Sequence, residues 1–242
     1  SATSSTDLAD LVIRHAHAGL VNEFGTVTFG RQTNPLANSY TADVFEANSG
    51  SFEQTPFRLG HAIIFQTSNN FGLRGYAGGM LEGGGDEDEN EQLDGYVMGG
   101  QYKLQQWVFH LGIFYADFKD LENDQSEFFD ASFGMAYRNN NLYLAANVEQ
   151  SKLKAPNGDE VTTDKLDLAL TYSVDNVIYG TGYAIQDDES EEKDRFLIGA
   201  YLDLGGNNDC YIELGLLNKA AGDNDNINLG YRITFWDKKR RL

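Results

Sequence analysis

The sequence predicts an all-β chain, a transmembrane antiparallel β-barrel, on three observations. Large apolar residues recur at every second position, the period of a strand, and no long segment repeats at helical spacing. The connections alternate between tight Asn- and Gly-bearing turns and longer, mostly acidic stretches. The half-apolar strands are also too many to bury in one modest soluble core. A soluble barrel or sandwich with its apolar face inward is the competing reading, and that surplus counts against it.

Period-two segments lie near residues 9–21, 24–31, 58–67, 70–81, 93–103, 106–118, 128–138, 141–150, 164–173, 176–186, 195–204, 209–219 and 227–235. Most match the length of about 9–11 residues that a tilted strand needs to cross a bilayer. In the first, Arg14 is in phase with Ala16 and Ala18. In the second, Arg31 shares a face with Val27 and Phe29 and reads as the turn out of the strand. In the third, Arg58 is in phase with Gly60 and Ala62, and His61 falls on the outward face. Later strands separate more cleanly. Phe129, Ala131, Phe133, Met135 and Tyr137 oppose Asp130, Ser132, Gly134, Ala136 and Arg138. Leu166, Leu168, Leu170 and Tyr172 oppose Lys165, Asp167, Ala169 and Thr171. Phe196, Ile198, Ala200 and Leu202 oppose Leu197, Gly199, Tyr201 and Asp203. In the last strand Ile227, Leu229, Tyr231, Ile233 and Phe235 alternate with Asn228, Gly230, Arg232 and Thr234. One face is lipid-like, and the other carries charge and glycine as a wet lumen would.

From residue 67 onward the short connections are TSNN, KLQQ, RNNN, SVDN and GGNN. Between them lie EGGGDEDENEQ, KDLENDQSE, SKLKAPNGDEVTT, DDESEEKD and AAGDNDN. Tight turns at one end and extended loops at the other are the rule for a membrane barrel. Aromatics gather beside the tight turns (Tyr102, Trp107, Tyr137, Tyr143, Tyr172, Phe235, Trp236), the place of an interfacial girdle.

Composition sets the outer limits. The chain has 242 residues, net charge -19 and pI about 4.4, which excludes nucleic acid as a partner. Mean hydropathy is -0.44 and no apolar run is long enough for a membrane helix, a test that period-two strands evade. Cys210 is the single cysteine, so no intrachain disulfide and no cysteine-based metal site is expected. His15, His17, His61 and His110 lack a catalytic or ligand spacing and read as packing at a girdle or subunit interface. No nucleophile motif or phosphate loop occurs, and neither an enzyme nor a cofactor is expected. The start, SATSSTDLAD, lacks a leader pattern, so the chain reads as mature, trimmed or incomplete.

One connection breaks the alternation. Residues 33–57 form a link far longer than usual, with Tyr40, Val44, Phe45 and Phe52 beside Asp43, Glu46 and Glu53. A loop in water has no use for that apolar content, whereas a loop folded against the inner wall does.

The segments RHAHAGLVNEFGTVTFGRQTNPL, YTADVFEANSG and FRLGHAIIFQTSNNFGLRGYAGG resemble the general diffusion porins of Gram-negative bacteria. The likeness runs through strand order and loop lengths to LGYRITF. It implies a sixteen-stranded barrel in the full protein, assembled as a homotrimer in the outer membrane among lipid and lipopolysaccharide. The thirteen visible strands would begin at the family's fourth. Residues 1–242 are then expected to be a single barrel domain lacking its N-terminal strands, with 33–57 as the inward-folded constriction loop. The family pattern ends at Phe235, which leaves 236–242 as an additional basic tail. Position by position, the resemblance assigns Asp43 and Glu46 to the loop's acids and Arg14 and Arg58 to the facing wall. Arg74, Arg138 and Arg232 are further lumen-facing cations. The expected function is passive diffusion of ions and small hydrophilic solutes with a mild cation preference. The alternatives are a plugged or structural surface barrel serving as adhesin or phage receptor, and a substrate-selective sugar channel.

Overall fold

A computed structural model describes residues 15–45, 58–81, 91–119, 125–188, 192–205, 208–217 and 225–233. They form thirteen strands: β1 (Ala16–Val21), β2 (Gly25–Thr33), β3 (Arg58–Thr67), β4 (Leu73–Met80), β5 (Glu91–Leu104), β6 (Trp107–Lys119), β7 (Gln125–Asn139), β8 (Leu142–Lys154), β9 (Glu160–Val174), β10 (Val177–Asp187), β11 (Glu192–Gly205), β12 (Asn208–Leu217) and β13 (Asn226–Ile233). A short 3-10 helix, Pro35–Ser39, follows β2. All strands belong to one sheet in sequence order, each antiparallel to the next, with β1 and β13 at its edges. Each expected segment holds a strand; residues 9–14 of the first, 218–219 of the twelfth and 234–235 of the last lie outside the described residues, as do 46–57 of the expected loop and the expected tail 236–242.

The turns explain the meander. Gln105, Asn140 and Asp175 take left-handed backbone angles, with φ of 53°, 44° and 51°, at the first position of two-residue reversals. At the opposite end, β8 and β9 run further than their apolar pattern suggests. Lys154 pairs with Glu160 in the ladder, and Lys152 bonds Glu160 at 3.0 Å, leaving only residues 155–159 as loop. Charged cross-strand pairs extend the ladder past the apolar band, where alternation alone gives no signal.

The two faces differ as the alternation requires. Ile227, Leu229, Tyr231 and Ile233 are 51–77% exposed, and Leu168, Leu170, Phe196 and Ile198 are exposed on the same face. In a soluble core these would be the most buried residues. Tyr102, Trp107, Tyr172 and Tyr179 are exposed beside the tight turns, with the Trp107 and Tyr137 rings 4.9 Å apart. On the opposite, inner face lie Asp130, Ser132, Asn147, Glu149, Lys165, Asp167 and Glu213, all buried. Polar side chains within and large apolar side chains without invert the soluble pattern, and the outer band meets lipid.

Candidate functional site

The candidate site is the inner wall together with residues 34–45, which lie on it. Asn34 caps the 3-10 helix, its side-chain oxygen accepting from the Leu36 amide at 3.0 Å. Leu36 is fully buried in a cluster with Leu59, Ile64, Val97 and Phe114 on β3, β5 and β6. That apolar cluster is the anchor of the segment, and its members are the inner-face positions where a wet wall would carry polar groups. Ser39 follows over β7: its hydroxyl donates to the Leu36 carbonyl at 2.6 Å and accepts from Ser132 at 2.7 Å. The Thr41 hydroxyl reaches the carbonyls of Met135 and Ala146 at 3.2 and 3.1 Å, and the Tyr143 hydroxyl donates to the Thr41 carbonyl at 2.7 Å. Ala42 packs on Ala136, Ala145 and Ala169. Phe45 ends the described part, with its ring over Gly180, Gly182 and Gly199. The segment thus crosses from β5 to β11.

Small residues make this seat possible. A Cβ added to Gly134 would stand 2.0 Å from the Ser39 carbonyl oxygen, closer than any real contact. We expect Gly134→Val to push the segment off the wall into the lumen and lower the unit conductance while strands still form. Gly79→Ala is the control, since its added carbon meets only the Gly95 carbonyl at 3.8 Å. Equal conductance of Gly134→Val and wild type would show that the segment does not bound the path.

Among the residues singled out from sequence, Asp43 is exposed between buried Ala42 and the buried ring of Phe45. Its charge acts on Asp167 and Tyr201 of β9 and β11. Glu46 and Arg14 lie outside the described residues. Arg58 is half-buried, opens β3 opposite Thr33, and has its Nε sealed from solvent. Its expected phase is corrected by one residue. His61 is left-handed (φ 43°) and the β2–β3 register shifts there, so Leu59, not Arg58 or Gly60, is in step with Ala62 and Ile64. A bulge inserts an unpaired residue and breaks the period of two. Arg74, Arg138 and Arg232 occupy inner-face positions. Arg74 is in step with buried Tyr76, and Arg138 stacks its guanidinium 5.0 Å from the Tyr143 ring centre. Arg232 grips Asp209 through Nε and Nη2 at 3.2 and 2.8 Å.

His110 differs from the girdle reading: it is buried on the inner wall, between Gln101 and Gly134 in the ladders. Among the described residues no group of three or more His, Cys, Asp or Glu is placed to hold a metal ion. Two inner-face positions escape the sequence reading. Tyr211 sits on the inner face with its ring 5.9 Å from that of Tyr201. Lys103 is in phase with inner-face Val97, a signal that counting by twos along β5 would raise.

Comparison with known proteins agrees with this geometry. The sequence profile of the Gram-negative porin family matches residues 1–225. Comparison with curated protein sequences finds no match. Among solved structures, the anion-selective porin from Comamonas acidovorans is similar at 18% identity and TM-score 0.68, over 88% of this chain and 71% of that one. OmpF of Salmonella typhi, solved with daunomycin, is similar at 16% identity and TM-score 0.69, over 86% and 72%. OmpT of Vibrio cholerae, expressed in the outer membrane, gives 16% identity and TM-score 0.68, over 87% and 72%. At such identities the likeness is one of fold. With the profile matching most of its length and the apolar faces turned outward, the chain belongs to the Gram-negative porin family, an outer-membrane channel protein and not an enzyme.

Proposed function

We propose that this chain forms a passive diffusion channel for ions and small hydrophilic solutes, with a mild preference for cations. The observation that carries this reading is the segment 34–45, seated across the inner wall from β5 to β11 with Asp43 exposed between buried Ala42 and Phe45. The apolar side chains hold the backbone to the wall, and Asp43 is the one charged residue of 34–45, exposed to solvent as is Asn38. In this reading Asp43 and Glu46 of the 33–57 loop supply the acids of the constriction and Arg14 and Arg58 its cations, which together orient water and dipolar solutes. Arg58 opens β3 one residue out of step with inner-face Leu59, so it acts through the reach of its long side chain at the strand end. The acidic long connections, which carry much of the net charge of -19, raise cation concentration at their own mouth, an effect that salt screens. The assembly is a homotrimer in lipid and lipopolysaccharide, with Arg74, Arg138 and Arg232 along the solute path.

The test is single-channel current in a planar bilayer under a potassium chloride gradient. Stepwise openings with a reversal potential of cation sign are expected. Asp43→Asn with Glu46→Gln is expected to move that potential towards anions, and an unchanged value would remove these acids from the ion path. Silence from folded, inserted protein would favour a plugged barrel instead.

A further inference from the structure

We infer that the lumen carries a second, cationic filter at its tight-turn end, formed by Arg74, Lys103 and Arg138, which makes the pore rectify. This rests on the open-channel reading above.

The two ends of the sheet differ sharply in charge. The long connections at residues 81–90, 120–124, 155–159, 188–191 and 218–225 hold fourteen carboxylates against one cation, Lys219. At the other end the inner wall reverses sign. Arg74 opposes Gln101, and Lys103 stands two residues further along the same face of β5, with its amide bonded to the Gly72 carbonyl at 2.8 Å. Such diagonal neighbours have Cβ atoms about 7–8 Å apart, within reach of two long side chains. Lys103 opposes Val108, Val108 opposes Ala136, and Arg138 lies two residues beyond Ala136 towards the turn. The three cations therefore follow one diagonal across β4, β5 and β7 close to the short turns. All three are exposed, and none has an ion-pair partner among the described residues. Tyr143, whose hydroxyl is already committed to Thr41, holds the Arg138 guanidinium in place.

Acids at the same end do not cancel this patch. Asp209 is neutralised by Arg232, and Asp203 stands with them on β11 and β12, away from the three cations. Glu23 and Asp175 belong to the short turns themselves.

Rings of acids select cations and rings of Arg or Lys select anions. A path with one at each mouth behaves as two opposed filters in series. When the acidic end is positive, cations enter through the acids and anions through the cationic end, and both accumulate inside. Reversing the voltage withdraws both. Current is therefore larger with the long-loop side positive. The asymmetry is expected to be roughly twofold at 0.1 M salt, where the screening length is about 10 Å, and to vanish near 1 M, where it is about 3 Å.

The experiment is the single-channel current–voltage curve in symmetric potassium chloride at 0.1 M and 1 M. Lys103→Cys in a Cys210→Ser background sets the orientation: a maleimide polymer too large to cross attaches only from the tight-turn side. Wild type is expected to rectify at the lower salt, and Arg74→Gln/Lys103→Gln/Arg138→Gln to lose most of the asymmetry while still opening in steps. If the triple variant does not insert, Lys103→Cys serves alone. A small cationic thiol reagent is then expected to restore the wild-type ratio, and an anionic one to lower it further. Stepwise openings with a symmetric wild-type curve at 0.1 M would overturn this inference and leave the channel reading standing. So would a triple variant, or both thiol adducts, with the ratio unchanged. Silence from inserted wild-type protein would overturn both.

Discussion

Lys165→Met is expected to destabilise the folded barrel by about 3–5 kcal/mol, the largest effect of any single change considered. Lys165 and Glu149 face each other across β9 and β8, with Nζ and Oε1 2.6 Å apart and both side chains 1% exposed. Removing the cation leaves Glu149 as a buried charge with its compensating partner gone, and it is that residual charge, not the lost attraction, that sets the size of the effect. Asp167, next on the same face of β9 and also buried, adds a second carboxylate to the site. Lys165→Met combined with Glu149→Leu is therefore expected to be more stable than Lys165→Met alone, because desolvation of both charges disappears together. Reversible urea unfolding of the refolded protein in phospholipid vesicles, followed by tryptophan fluorescence, compares both variants with wild type. A single-variant loss below about 1 kcal/mol would mean that water reaches the pair.

Leu168→Arg is the second, with an expected loss of about 2–4 kcal/mol. On the outer face of β9 the first charge is Asp164 and the girdle residue is Tyr172, so Leu168 lies midway through the apolar band between them. It is 43% exposed, which in water would make the substitution nearly free. In lipid the same exposure is what makes it expensive, since a guanidinium at the bilayer midplane has no water to meet it. Thr171→Arg, on the inner face of the same strand, is expected to cost far less because a lumen solvates it. Comparing the two by the same unfolding assay separates lipid exposure from general sensitivity of β9. Equal losses would mean that the outer band does not lie in the hydrocarbon region.

Both predictions depend on a distinction between faces that is legible in the amino-acid order alone. Leu166, Leu168 and Leu170 against Lys165, Asp167 and Ala169 is a pattern written into one strand, and a strand has no freedom to disobey it without a bulge. Turn chemistry is equally local at 140–141 and 175–176, where Asn-Asn and Asp-Asn accept the left-handed angle a tight reversal needs, whereas Gln105 takes that angle without such a preference. Local rules fail where the chain departs from them. A left-handed residue at His61 moves the phase of β3 by one, and nothing in RLGHAIIFQT announces it, because His in that conformation is tolerated rather than required. β8 and β9 outrun their apolar pattern for a related reason, since Lys152 and Glu160 support each other only once the register brings them together.

What the sequence by itself determined was the strand count, the antiparallel meander, the two faces and the acidic character of one end, since each follows from residues a few positions apart. Only the tertiary structure decided how residues 34–45 cross the wall, which glycines and alanines make room for them, and that Asp43 is left exposed while Phe45 is not. It also decided that Glu149 meets Lys165 and that Arg74, Lys103 and Arg138 fall on one diagonal. Those facts require the relative register of strands and the path of a loop across seven of them. Both are set by the sum of many weak contacts between distant residues, a quantity that no local pattern carries.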